Sequence, residues 1–135
     1  MVEPVPAELA DRIVPYLMID GAAAAIDFYR EAFGAEERYR MAMPDGSIGH
    51  AEITIGGAVV YLADAPADMP GDAANPKRLG GSTVLLHRYV PDVDAAVERA
   101  RSAGATVVRA PEDQFYGDRA ALVADPFGHL WSLHT

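Results

Sequence analysis

Phe33-Gly34-Ala35 and Ala103-Gly104-Ala105 stand seventy residues apart, each at the end of a run with helical apolar spacing. The last strand candidates echo at nearly the same offset: Gly57-Ala58-Val59-Val60-Tyr61-Leu62 matches Gly128-His129-Leu130-Trp131-Ser132-Leu133. A repeat this long is no solenoid period and marks two copies of one small module. The 135 residues then form one structural domain made of two half-size units.

Each copy reads strand, helix, strand, strand, strand. Residues 1–12 carry Pro4 and Pro6 without periodicity and read as a loosely held arm. The first module spans 13–63. It opens on a strand from Val14 to Ile19, and Asp20 is placed to cap a helix over 22–33, where Ile26, Tyr29 and Phe33 make an apolar stripe and Gly34 closes it. Strands follow over 37–43, 48–55 and 58–63, separated by the turn signals Pro44-Asp45-Gly46-Ser47 and Gly56-Gly57. Residues 64–81 are rich in Pro, Gly, Asp and Asn and read as a linker or lid, with Asp64, Asp68 and Asp72 in solvent. The second module, 82–135, repeats the order: a strand over 83–90, a helix over 93–103 capped by Asp92 and ended by Gly104, and strands over 106–109, 119–124 and 130–133. The fold class is therefore α+β, two tandem βαβββ modules. Each helix covers one face of its sheet, and the other faces curl around a shared cleft, the default ligand site.

Composition narrows the function. Cysteine is absent, which excludes disulfides, thiolate metal sites and a cysteine nucleophile. Eleven basic against twenty acidic residues give a net charge of −9, a field that repels nucleic acid and anionic membrane surfaces. No apolar run reaches the ~20 residues of a membrane span. The first twelve residues have no basic start or apolar core, which argues against a secretory leader. A cytoplasmic protein acting on a small organic molecule is the expectation.

Several segments carry a family likeness: Ile26-Asp27-Phe28-Tyr29 with Phe33-Gly34-Ala35, Val90-Pro91-Asp92-Val93-Asp94 with Ala103-Gly104-Ala105, and Asp125-Pro126-Phe127-Gly128-His129. In this order and spacing, over residues 13 to 134, the chain resembles the vicinal oxygen chelate superfamily of glyoxalases, bleomycin-resistance proteins and extradiol dioxygenases. Gln114-Phe115-Tyr116-Gly117-Asp118-Arg119 resembles a bacterial glyoxalase-like branch. A homodimer is expected, because paired sheets leave edges and apolar rims to bury. The resemblance implies one divalent metal held by His and Glu from the first and last strand of each module. Counted from helices and turns, those four positions fall within two residues of Val14, Tyr61, Leu85 and Ser132, none a good ligand for nickel, zinc or iron. No cofactor is therefore expected.

Strand alternation assigns the cleft face. Trp131 and Leu133 are bulky and apolar and face the helices, so Ser132 and His134 face the cleft. Tyr16, Met18, His50, Glu52, Tyr61 and His87 join them. Tyr116 and Arg119 stand near the mouth, where Arg119 reaches either an anionic ligand group or an internal carboxylate on Asp118, Asp113 or Glu112. His129 is read as bonding backbone at its turn and the penultimate His134 as frayed. This lining suits a planar or amphipathic organic ligand.

Two function classes remain. One is a metal-free protein that sequesters or carries a small molecule. The other is an enzyme: a lyase, isomerase or dioxygenase with a displaced metal on His50, Glu52 and His87, or a metal-independent proton-transfer catalyst.

Overall fold

The computed structural model describes residues 5–65 and 75–135. Its elements run β1 (Tyr16–Ile19), α1 (Ala22–Phe33), β2 (Glu36–Ala42), β3 (Ile48–Ile55), β4 (Ala58–Asp64), α2 (Pro76–Leu79), β5 (Leu85–Tyr89), α3 (Val93–Ala103), β6 (Thr106–Asp113), β7 (Arg119–Ala124) and β8 (Leu130–His134). They form two four-stranded sheets with matching orders, β1-β4-β3-β2 and β5-β8-β7-β6. The α+β fold of two βαβββ modules follows directly. In each sheet the first and last strands of the module pair in parallel and the remaining neighbours antiparallel.

Both major helices end where the sequence places them. Gly34 takes a left-handed conformation after α1, and the Asp92 carboxylate accepts the Ala95 amide at the start of α3. The start of α1 is different. Gly21, not Asp20, is the capping residue, and its backbone leaves the first amides without a side-chain partner of their own. Asp64, at the end of β4, supplies it: one carboxylate oxygen accepts the amides of Gly21 and Ala22 at 2.8 Å, and the other accepts the Ile48 amide. Asp64 is thus a structural staple rather than a solvated residue. Asp68 and Asp72 lie outside the described residues. Strand β6 runs on to Asp113, past the expected end at Arg109, with irregular register that accommodates Pro111.

The modules join through one core. The helix-facing sides of both sheets share it with α1 and α3. Phe33 of α1 lies 4.5 Å from Trp131 of β8, ring to ring. The Tyr29 hydroxyl donates to the buried Asp125, which also accepts the Trp131 indole N–H and the amides of Phe127 and His129. The Arg99 guanidinium donates to the Glu31 carbonyl. Each sheet keeps its other face open, turned away from this core.

The segment before the second module is partly built. Asn75 caps α2, and Pro76 packs on the turn between β7 and β8. There Gly128 has φ of 93° and a Cβ would meet Pro76 at 2.8 Å, so only glycine fits. Before β1, a single 3₁₀ turn at Ala7–Leu9 is held by Glu8, whose carboxylate accepts from Arg38 at 2.9 Å. Among the described residues no helix is long and apolar enough to cross a membrane.

Candidate functional site

Four strand residues meet on the open face of the first sheet because of register. Tyr16 of β1 stands opposite Tyr61 of β4, and Tyr61 stands opposite Glu52 of β3. His50 lies two residues before Glu52 and so projects from the same face. The Tyr16 hydroxyl is 2.7 Å from His50 Nδ1, and His50 Nε2 is 3.0 Å from Glu52 Oε2. With the Glu52 carboxylate as acceptor, Nε2 carries the ring proton and Nδ1 accepts from Tyr16. Tyr61 packs edge-on against both rings.

This polar chain is sheltered. Glu52 is 3% exposed beneath the rings. Burial, then the Glu52 charge, raise the Tyr16 hydroxyl above the ordinary tyrosine range, which keeps it a donor. The same two causes raise Tyr61.

Beside the chain lies a pocket of about 720 Å³. Tyr16, Met18, Met43, Ile48 and Ala63 line it, with the Asp45 carboxylate among its polar groups. No basic side chain contributes to the lining. The pocket is therefore apolar and thioether-rich, with negative charge close by. Met43 was not among the residues singled out from sequence; it belongs to the β2–β3 turn region, whose approach to β1 local pattern does not reveal.

The second sheet presents the remaining candidates. His87 of β5 stands opposite Ser132 of β8. Its ring lies 4.2 Å from that of His134 and 4.9 Å from that of Tyr89. His134 is not frayed: it is 8% exposed and bonded through both ring nitrogens to Ser132 and Asp118. Thr135 caps α3 through its hydroxyl and pairs with Arg119 along the backbone, which ties the strand end down. His129 also departs from its expected role, since its Nε2–H donates across the modules to the Met18 carbonyl. Tyr116 is exposed in the β6–β7 turn next to Phe115. The Arg119 guanidinium forks onto Asp94 at 2.8 and 3.1 Å and reaches Asp113 at 3.1 Å. Its charge is spent on holding α3 to the β6–β7 hairpin.

The four positions implied for a metal, Val14, Tyr61, Leu85 and Ser132, lie just before β1 and in β4, β5 and β8, and none of these side chains is a good ligand for nickel, zinc or iron. Among the described residues, no three His, Asp or Glu side chains gather closely enough to hold one ion. His50 and Glu52 are adjacent, while His87 belongs to the other sheet.

Residues 10–133 match the family model described as Glyoxalase/Bleomycin resistance protein/Dioxygenase superfamily. The chain belongs to that superfamily. Its relatives include protein Rv0887c of Mycobacterium tuberculosis (strain ATCC 25618 / H37Rv), 52% identical over 120 residues, covering 88% of this chain and 71% of the relative. Among solved superfamily-like structures, TioX from Micromonospora sp. ML1 is 30% identical with a TM-score of 0.68, covering 92% of this chain and 94% of TioX. The Arabidopsis thaliana gene product At5g48480 superposes with a TM-score of 0.74 at 26% identity, over 92% of this chain and 98% of that one.

Proposed function

We propose that this superfamily member binds a small, planar, cationic organic molecule on the open face of the first sheet, without the divalent metal used by the superfamily's enzymes. The observation that carries the reading is the pocket itself. It is lined by Tyr16, Met18 and Met43, carries Asp45, and has no basic side chain. A flat cation gains dispersion contact with the rings and thioethers, and a favourable field from the carboxylates and the net charge of −9. The Tyr16–His50–Glu52 chain offers a fixed hydrogen-bonding edge for the polar end of such a ligand.

The binding unit is a homodimer. A second copy laid against the open face of the first sheet would complete a two-sided cleft. Free edge strands β1 and β5, with exposed Ile13, Val84 and Leu85 beside them, supply apolar surface for that contact.

Titration calorimetry with 9-aminoacridine and with a cationic glycopeptide antibiotic tests the reading. Saturable heat with one site per chain is expected for at least one of them, with affinity falling about tenfold in Asp45→Asn, the loss of one favourable charge contact at the pocket lining. No heat and no thermal stabilisation from either ligand overturns it. The adjacency of His50 and Glu52 supports one other reading, a displaced-metal lyase, isomerase or dioxygenase in which a second copy brings His87 near. Stoichiometric nickel, zinc, iron or manganese in the purified protein would favour that reading instead.

A further inference from the structure

The open face of the second sheet carries a separate chemical device. Ser132 and His134 are two residues apart on β8 and project from the same face. The Ser132 hydroxyl is 2.8 Å from His134 Nε2, and His134 Nδ1 is 2.7 Å from Asp118 Oδ2. A carboxylate only accepts, so Asp118 places the ring proton on Nδ1. Nε2 is then left with its lone pair aimed at the serine hydroxyl. This is the tautomer in which an imidazole withdraws a proton from a nucleophile.

Three further observations separate this arrangement from a merely satisfied histidine. The other Asp118 carboxylate oxygen is buried and has no hydrogen-bond partner among the described residues. A shielded, unpaired carboxylate oxygen gains most when the adjacent ring becomes cationic, which happens only as the serine proton transfers. Next, the fold does not require the pair. Register makes Tyr61 and Ala63 of the first module the counterparts of Ser132 and His134, and that sheet forms without them. Last, Ser132 and His134 line a pocket of about 160 Å³ that also holds Arg109. Arg109 stands opposite Leu122, which stands opposite Ser132, so the three share one row across the sheet. Arg109 has no ion-pair partner among the described residues. A guanidinium there suits a developing oxyanion or a substrate carboxylate.

We propose that Ser132, His134 and Asp118 form an acyl-transfer relay that hydrolyses short-chain carboxylic esters, with Arg109 as the cationic contact. Ser132 Oγ bonds to the ester carbonyl carbon as its proton passes to His134 Nε2. The tetrahedral intermediate collapses, the C–O bond to the alcohol breaks, and the leaving oxygen takes the proton from His134. Water then attacks the acyl-serine and gives a proton to His134, which returns it to Ser132 as the carboxylic acid departs. No redox partner enters. Asp118 is a positioning residue, and the pocket volume limits the acyl group to a few carbons.

Stopped-flow release of 4-nitrophenolate from 4-nitrophenyl acetate, with intact-mass and peptide mapping of the acylated protein, tests the relay. The expected result is a burst of one equivalent per chain, with a single acetyl group on Ser132. Ser132→Ala removes one oxygen atom and abolishes both burst and label, with melting temperature and circular dichroism serving as the folding control. Asp118→Asn keeps the shape but favours the other tautomer, and slows the burst by about 10²- to 10⁴-fold, as expected for loss of the orienting carboxylate. Absence of acylation in the wild type, acetyl on another residue, or an undiminished burst in folded Ser132→Ala overturns the proposal. Because this relay is on the second sheet, 9-aminoacridine binding to the first stands or falls independently of it.

Discussion

The Tyr29 hydroxyl lies 2.5 Å from the Asp125 carboxylate, a bond from the helix of the first module to the buried turn of the second. Among the described residues the Asp125 carboxylate has four donors, and Tyr29 is the only one from the first module. Burial, then the Asp125 charge, push the Tyr29 hydroxyl well above the usual tyrosine range. Tyr29→Phe removes a hydrogen bond to a charged acceptor and is expected to cost about 1.5–3 kcal/mol at neutral pH by urea unfolding. A raised folded value means that Tyr29's contribution is complete below the unfolded tyrosine value. It is lost as pH rises through the folded one. The gap between wild type and variant should therefore narrow above about pH 10.

Arg119 gives the opposite sign. Hydrogen bonding from Arg119 is the main cause that lowers the Asp94 carboxyl below its ordinary value. Stability from that pair is present above the unfolded carboxylate value, about 3.9, and is lost as pH falls through the depressed one. Arg119→Met should be less stable than wild type near neutrality, and the two should converge on acidification. Unfolding midpoints measured from acid to neutral pH check this. Because both partners are solvent-exposed, the difference should shrink in high salt.

Leu85 is half-exposed at the free edge strand β5. Leu85→Glu leaves the monomer core untouched but places charge on the proposed dimer contact. Light scattering coupled to size exclusion should show a dimer for wild type and a shift towards monomer for the variant, with its circular dichroism unchanged.

Gly128→Ala tests the seat of α2 on the second module. The left-handed backbone and the 2.8 Å approach to Pro76 both oppose a side chain. A loss of about 1–3 kcal/mol is expected, in the range for strained backbone and overpacked sites.

What was legible in the sequence depended on how local its cause was. Helix ends at Gly34 and Gly104, the Asp92 cap and the glycine hairpin at Gly56-Gly57 rest on local chemistry, and all appear in the structure. Alternation along β3 and β4 likewise put His50, Glu52 and Tyr61 on one face. Asp64 was opaque because its three amide partners, at Gly21, Ala22 and Ile48, are brought to it only by sheet assembly. His134 looked like a loose end because nothing near it in sequence announces Asp118, sixteen residues earlier and carried to it by the β6–β7 hairpin. Arg119 had candidate partners in its own loop, yet Asp94 on α3 takes two of its nitrogens.

Whether the open face of the first sheet is a ligand site for planar cations is decided by amide-resolved NMR titration of the ¹⁵N-labelled protein with 9-aminoacridine. Saturable shifts centred on Gly49, His50, Glu52, Tyr61 and Ala63 are expected. Unchanged spectra, or shifts confined to β5–β8, would contradict a site there.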